Sequence, residues 1–134
     1  MKPEELIERT RAFYQLALTE LEKALEEYVV TEGFVWENPL PSHIPFGGTH
    51  EGNDGLRRYL ALVNEHIEMN HFEFTEMVAQ GDTVMAAGHE TSSVRSTGRT
   101  YDMDFVHVVK FTADGKIRTV REYNDTAAIG AAFA

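Results

Sequence analysis

Four polar residues stand where the surrounding pattern calls for apolar or turn residues, and their types could do chemistry. His107 interrupts Phe105-Val106-His107-Val108-Val109, a run hydrophobic on both faces of a strand, and alternation groups it with Phe105, Val109 and Phe111. A buried imidazole needs partners, so His107 is either a core histidine bonded to backbone or tyrosine, or a functional group. Glu122 follows Arg121 on the last strand and shares a face with Val120, either as half of a surface ion pair or as a buried acid. Glu90 breaks Met85-Ala86-Ala87-Gly88-His89, where an edge-protecting charge is the competing explanation, and Asp102 and Asp104 are read in that protective role. Asn38 precedes Pro39, which holds its backbone extended, as a turn residue or as an amide donor. Carboxylate, imidazole and amide are the groups of proton transfer and oxyanion stabilisation.

Other chemistries lack their residues. The chain has no cysteine, which removes disulfides, thiolate metal sites and cysteine nucleophiles. Gly47-Gly48 follows Pro45 with no Lys-Ser or Lys-Thr after it, and no G-x-S-x-G turn exists. His66-x-Glu68-x-x-His71 has a metal flavour, but histidines five apart do not share a helical face; solvated helix-end histidines fit better, and no metal is expected. Trp36, Tyr14, Phe13 and Tyr59 either line a pocket or fill the core.

Several elements must position these groups. Leu6, Ile7, Phe13, Ala17, Leu18, Leu21, Leu25 and Tyr28 recur at helical spacing, and Thr19 with Glu22 reads as a capping box, predicting helices over about 4–18 and 20–30. A short strand at 34–37 leads into a loop over 38–52 with three prolines and three glycines. Its length marks the stretch 39–52 as a candidate lid carrying His43, Ile44, Phe46 and His50. A third helix follows over 54–68, burying Leu56, Tyr59, Leu60, Val63 and Ile67. The period then changes, with strands at 72–78, 83–94, 99–111 and 116–124 separated by turn chemistry. Helices first and a curved meander after them predict an α+β fold whose helices close one open end of the sheet; residues 126–134 form a short helix or a frayed end.

The 134 residues predict one domain, and 43% hydrophobic with 25% charged residues is a globular composition. Acidic residues number 22 against 12 basic, a net charge of −10, which argues against nucleic acid or an anionic membrane as partner. The acidic start, Met1-Lys2-Pro3-Glu4-Glu5, and the lack of a long apolar run predict a cytoplasmic protein.

Trp36-Glu37-Asn38-Pro39-Leu40-Pro41, Gly52-x-x-Gly55-Leu56-x-x-Tyr59, Val106-His107-Val108-Val109-Lys110-Phe111, Asp114-Gly115-Lys116-Ile117 and Arg121-Glu122-Tyr123-Asn124-Asp125 together resemble the SnoaL-like polyketide cyclases. These belong to the nuclear transport factor 2-like superfamily, with ketosteroid isomerase and limonene epoxide hydrolase as relatives, and the resemblance spans about residues 4 to 126. It implies a cone-shaped, curved mixed sheet wrapped around N-terminal helices, a deep apolar pocket, a homodimer pairing sheet faces, and no cofactor. It also implies Glu122 as general acid/base, with His107 and Asn38 polarising the substrate. Burial is expected to raise the Glu122 pKa toward neutrality.

Tyr14, Trp36, Glu90, Tyr59, Phe46 and Phe105 are the expected substrate-binding residues. Tyr14 matches the isomerase's oxyanion tyrosine, but Asn38 replaces its general-base aspartate. Asn38, Glu90 and Glu122 fall near the hydrolase's asparagine and two acids, while its arginine falls at Gly88. The expected ligand is a small apolar carbonyl compound and the expected activity cyclase- or isomerase-type. The alternatives are a non-catalytic ligand-binding or dimerisation module, and epoxide hydrolase-like water addition with an arginine from elsewhere between Glu90 and Glu122.

Overall fold

The computed structural model describes residues 1–134. Helix α1 (Pro3–Ala17) and helix α2 (Leu21–Tyr28) form where the apolar stripe repeats, with Pro3 and acidic residues in the first turn of α1. The break between them falls where expected, but the capping box does not form: Glu20 occupies the N-cap of α2 without a side-chain bond, and Thr19 Oγ1 instead donates back to the Gln15 carbonyl. Strand β1 (Val35–Asn38), strand β2 (Gly48–Glu51) and helix α3 (Gly52–His66) follow. Strands β3 (Ile67–Gln80), β4 (Thr83–Val94), β5 (Thr100–Phe111) and β6 (Ile117–Tyr123) then build the meander, and helix α4 (Thr126–Phe133) ends the chain.

The six strands form one sheet in the order β2-β1-β6-β5-β4-β3. All neighbours are antiparallel except β1 and β6, so the sheet is mixed. Gly81 (φ +61°) and Gly115 (φ +83°) close the β3–β4 and β5–β6 turns in the left-handed region that glycine adopts without strain. Strand β3 has 14 residues, with register shifts between Met69 and His71 and between Phe74 and Glu76. Such bulges bend a strand and sharpen its twist, which lets the sheet curl around the helices. No helix is long and apolar enough to cross a membrane.

Alternation on β4 and β5 sends Val84, Ala86, Gly88, Glu90, Ser92 and Val94, with Tyr101, Met103, Phe105, His107, Val109 and Phe111, to the concave side. There they meet Leu6, Phe13 and Tyr14 of α1 and Leu56, Tyr59 and Val63 of α3. Leu18, expected on the buried stripe, is 61% exposed just past the end of α1.

Two readings of the sequence are corrected here. The segment 39–52 is not loop throughout: residues 48–51 pair with β1, and Ile44 and Phe46 are buried in the core. Strand β2 escapes pattern reading because Gly-Thr-His-Glu has no apolar alternation. Asp102 and Asp104 do not guard an edge either, since β5 lies between β4 and β6. On the outer face they hold His89 between them: Nδ1 lies 2.8 Å from Asp104, and Nε2 meets Asp102.

Candidate active site

The sheet register places the polar residues side by side. Residues Glu37 and Arg121 are partners across β1 and β6, so the next inward residues, Asn38 and Glu122, fall level with each other. Glu122 in turn pairs with His107 on β5. Three adjacent strands thus present amide, carboxylate and imidazole in one row on the concave face, as alternation predicts for each strand separately. All three are buried: Asn38 is 2%, His107 3% and Glu122 7% exposed.

Four side-chain donors surround the Glu122 carboxylate. Its Oε2 accepts from Trp36 Nε1 at 2.8 Å and from the Tyr59 hydroxyl. Its Oε1 accepts from Asn124 Nδ2 at 3.1 Å and faces His107 Nε2 at 3.3 Å. The amides extend the network: Asn38 Nδ2 donates to Tyr59 Oη at 3.0 Å, and Asn124 Nδ2 also reaches Asn38 Oδ1 at 3.0 Å. Tyr14 Oη lies 2.7 Å from His107 Nδ1. Burial, with the Glu122 charge second, pushes the Tyr14 phenol well above its ordinary value, so it keeps its proton and can donate to Nδ1 of a neutral imidazole. That bond assigns the hydrogen of a neutral His107 to Nε2, toward Glu122.

The electrostatics reverse the expectation for the two acids. Burial pushes the Glu122 pKa up, but the charge His107 can carry and the bonds from His107, Tyr59 and Asn124 push harder, and the carboxyl is held down at about 2. Glu122 is therefore ionised at neutral pH rather than poised near it. The acid shifted upward is Glu90, 8% exposed, where burial outweighs the hydroxyls of Ser92 and Tyr101 that donate to Oε2 at 2.7 and 2.8 Å.

A raised acid favours the folded state below the unfolded pKa, and that contribution is lost as pH rises through the folded value. Glu90→Gln, which cannot ionise, is accordingly expected to hold its stability from pH 5 to pH 9 better than the wild type. Urea unfolding across that range checks this, and parallel pH profiles would contradict it.

Both acids line one cavity, with a free volume of about 70 Å³ that opens to solvent. Its walls include Phe13, Tyr14, Trp36, Phe46, Tyr59 and Phe72, with Leu18 and Met69, both exposed, among them. Expected wall residues Tyr14, Trp36, Tyr59, Phe46 and Glu90 are thus present with Asn38, His107 and Glu122. Phe105 is the exception: it stacks on Phe72 at 4.9 Å and packs beside His107 at 4.8 Å, outside the cavity wall.

No arginine or lysine lines the cavity, and position 88 has no room for one, because even a Cβ there would collide with the Glu73 carbonyl and the Phe105 ring. The paired acids of the hydrolase reading are present without the cation between them. His66 and His71 sit on different elements and face Glu65 and Glu73, and no three His, Asp or Glu side chains converge to hold a metal. Sequence reasoning missed Asn124, Tyr101 and Ser92; Asn124 lies two residues from Glu122, the spacing that returns a strand to the same face.

A family profile described as the SnoaL-like domain matches residues 10–120. Among solved structures, an NTF2-like protein from Burkholderia xenovorans LB400 is 30% identical over 100% of this chain and 99% of its own, with a TM-score of 0.89. TerC, co-crystallised with polyporic acid, is 28% identical over 96% of this chain and 97% of its own, with a TM-score of 0.80. A Bacillus subtilis protein for which an isomerase role has been suggested is 25% identical over 99% and 96%, with a TM-score of 0.76. No curated protein sequence matches. The fold match spans the whole chain, and the chain belongs to the SnoaL-like domain family, on the NTF2-like fold.

Proposed function

We propose that this protein is a cofactor-independent acid/base enzyme that enolises a small, largely apolar carbonyl compound, the step from which cyclase- and isomerase-type reactions proceed. One observation carries the reading: an ionised carboxylate, Glu122, set among donors in the wall of an apolar cavity. Before a substrate binds, those donors serve the carboxylate and keep it a weak base. When a ketone places its α-carbon against Glu122, the proton passes from carbon to the carboxylate. The C–H electron pair moves onto the carbonyl oxygen, and the negative charge leaves Glu122 for the enolate.

The donors around the carboxylate then have a second anion to serve. His107 Nε2 and the second hydrogen of Asn38 Nδ2 are the groups placed to follow the charge, and fixed donors in a site poor in water stabilise it without reorganisation. Protonated Glu122 returns the proton to another carbon in an isomerisation; in a ring closure the enolate carbon attacks a second carbonyl, whose π pair moves to its oxygen, and that oxygen takes the proton from Glu122. The relatives are consistent with a ligand of this kind, since TerC was crystallised with polyporic acid and the Bacillus subtilis protein is suggested to be an isomerase.

The test is exchange of α-protons into deuterium oxide, followed by proton NMR, over bicyclic ketones beginning with 1-tetralone, with polyporic acid titrated as the first ligand. Exchange faster than the buffer rate is expected. Ligand binding with no acceleration on any ketone would favour the non-catalytic binding module instead.

A further inference from the structure

We infer that the cavity selects a two-ended oxygen compound, one oxygen function at the Glu122 row and a second at Glu90 Oε1. The inference rests on the proposed acid/base reading for the first end only. Glu90 is a buried carboxyl with no cation beside it. Its Oε2 is occupied by the Ser92 and Tyr101 hydroxyls, which fix the plane of the carboxyl group. Its Oε1 has no protein partner, although the residue lines the cavity. Oε1 is not among the fully buried unpartnered atoms, so it keeps some accessible surface, and on a cavity-lining residue that leaves a hydrogen-bonding position for a ligand.

The register separates the two ends. Glu122 pairs with His107, whereas Glu90 pairs with Met103, four residues further along β5. Four residues of strand cover about 13 Å at roughly 3.3 Å per residue, shortened at the side-chain tips because the sheet is concave. The rest of the wall is largely apolar, with Trp36, Phe72, Val63 and Met103 among it. A flat hydrocarbon body with oxygen at both ends matches that order of polar, apolar and polar surface. Burial favours the protonated form of Glu90, so Oε1 can carry a hydrogen and would read a hydrogen-bond acceptor such as a carbonyl, ether or hydroxyl oxygen. Ser92 and Tyr101 are positioning residues in this arrangement.

Isothermal calorimetry with two aromatic enols tests the assignment, 2-naphthol carrying one oxygen and 2,6-dihydroxynaphthalene carrying two. The diol is expected to bind wild type at least tenfold more tightly than the mono-ol. Glu90→Gln, which keeps a donor of the same shape, should retain most of that preference. Glu90→Leu should abolish it, with a cooperative urea transition showing that the variant is folded. Equal affinities of the two enols for wild type, or an undiminished preference in a folded Glu90→Leu, would overturn the inference. Failure of ketone exchange counts against the acid/base reading alone, since the diol preference is read from binding.

Discussion

Glu122→Gln is expected to slow α-proton exchange by about 10²–10⁴-fold, the range that a positioned general base supplies. The amide has nearly the size of the carboxylate, and its oxygen can still accept from Trp36 Nε1 and the Tyr59 hydroxyl. Its nitrogen, however, would face Asn124 Nδ2 and the Nε2–H of His107, so two donors meet a third, and the amide has no basic lone pair to take a proton from carbon. Ketone affinity should change much less than rate, because the apolar walls are untouched. Initial exchange rates at saturating ketone separate the two effects. A variant with wild-type exchange would remove Glu122 from the role of base.

His107→Leu should cost about 3–5 kcal/mol of stability at pH 7, because it leaves the buried Glu122 charge short of its imidazole partner. Glu122 would keep its charge but lose its fourth donor, and Tyr14 would lose the acceptor for its hydroxyl. The pH dependence distinguishes this loss from simple mispacking. In the wild type Glu122 titrates below its unfolded value, so its contribution is present above about pH 4.5 and is lost as pH falls toward 2. In the variant the same carboxyl titrates higher, because its largest opposing influence is gone, and it can escape the penalty by taking a proton. The stability gap between the two proteins should therefore narrow as pH falls from 7 to 4. Chemical denaturation across that range measures it, and a constant gap would mean that the imidazole contributes only volume.

The fold was legible where one face of an element is apolar. The stripe in α1, the buried side of α3 and the alternation in β4 and β5 all sort the residues as found. Strand β2 and the first five residues of β3 were not legible, since their side chains are mostly polar and exposed, and it is pairing with β1 and β4 that makes them strands. The site divides along the same line. His107, Glu122 and Asn38 announce themselves by polarity in an apolar setting, and the family resemblance joins them.

Neither source shows how many donors converge on one carboxylate, because Trp36, Tyr59, Asn124 and His107 come from four separate elements or loops. Burial alone therefore predicted the wrong sign for the Glu122 shift. Glu90, with two hydroxyls and no cation, is the acid for which that simpler reasoning holds.

The bond from Trp36 to Glu122 also has an optical meaning. Trp36 is the chain's single tryptophan, and its indole N–H ends on the proposed catalytic carboxylate while its ring lies in the cavity wall. Indole emission depends on the charge and polarity next to the ring, so the protein carries one built-in dye at its reaction centre, with no second tryptophan to dilute the signal. Occupancy of the cavity and the charge on Glu122 can both be followed as a change of colour or brightness in the unlabelled protein.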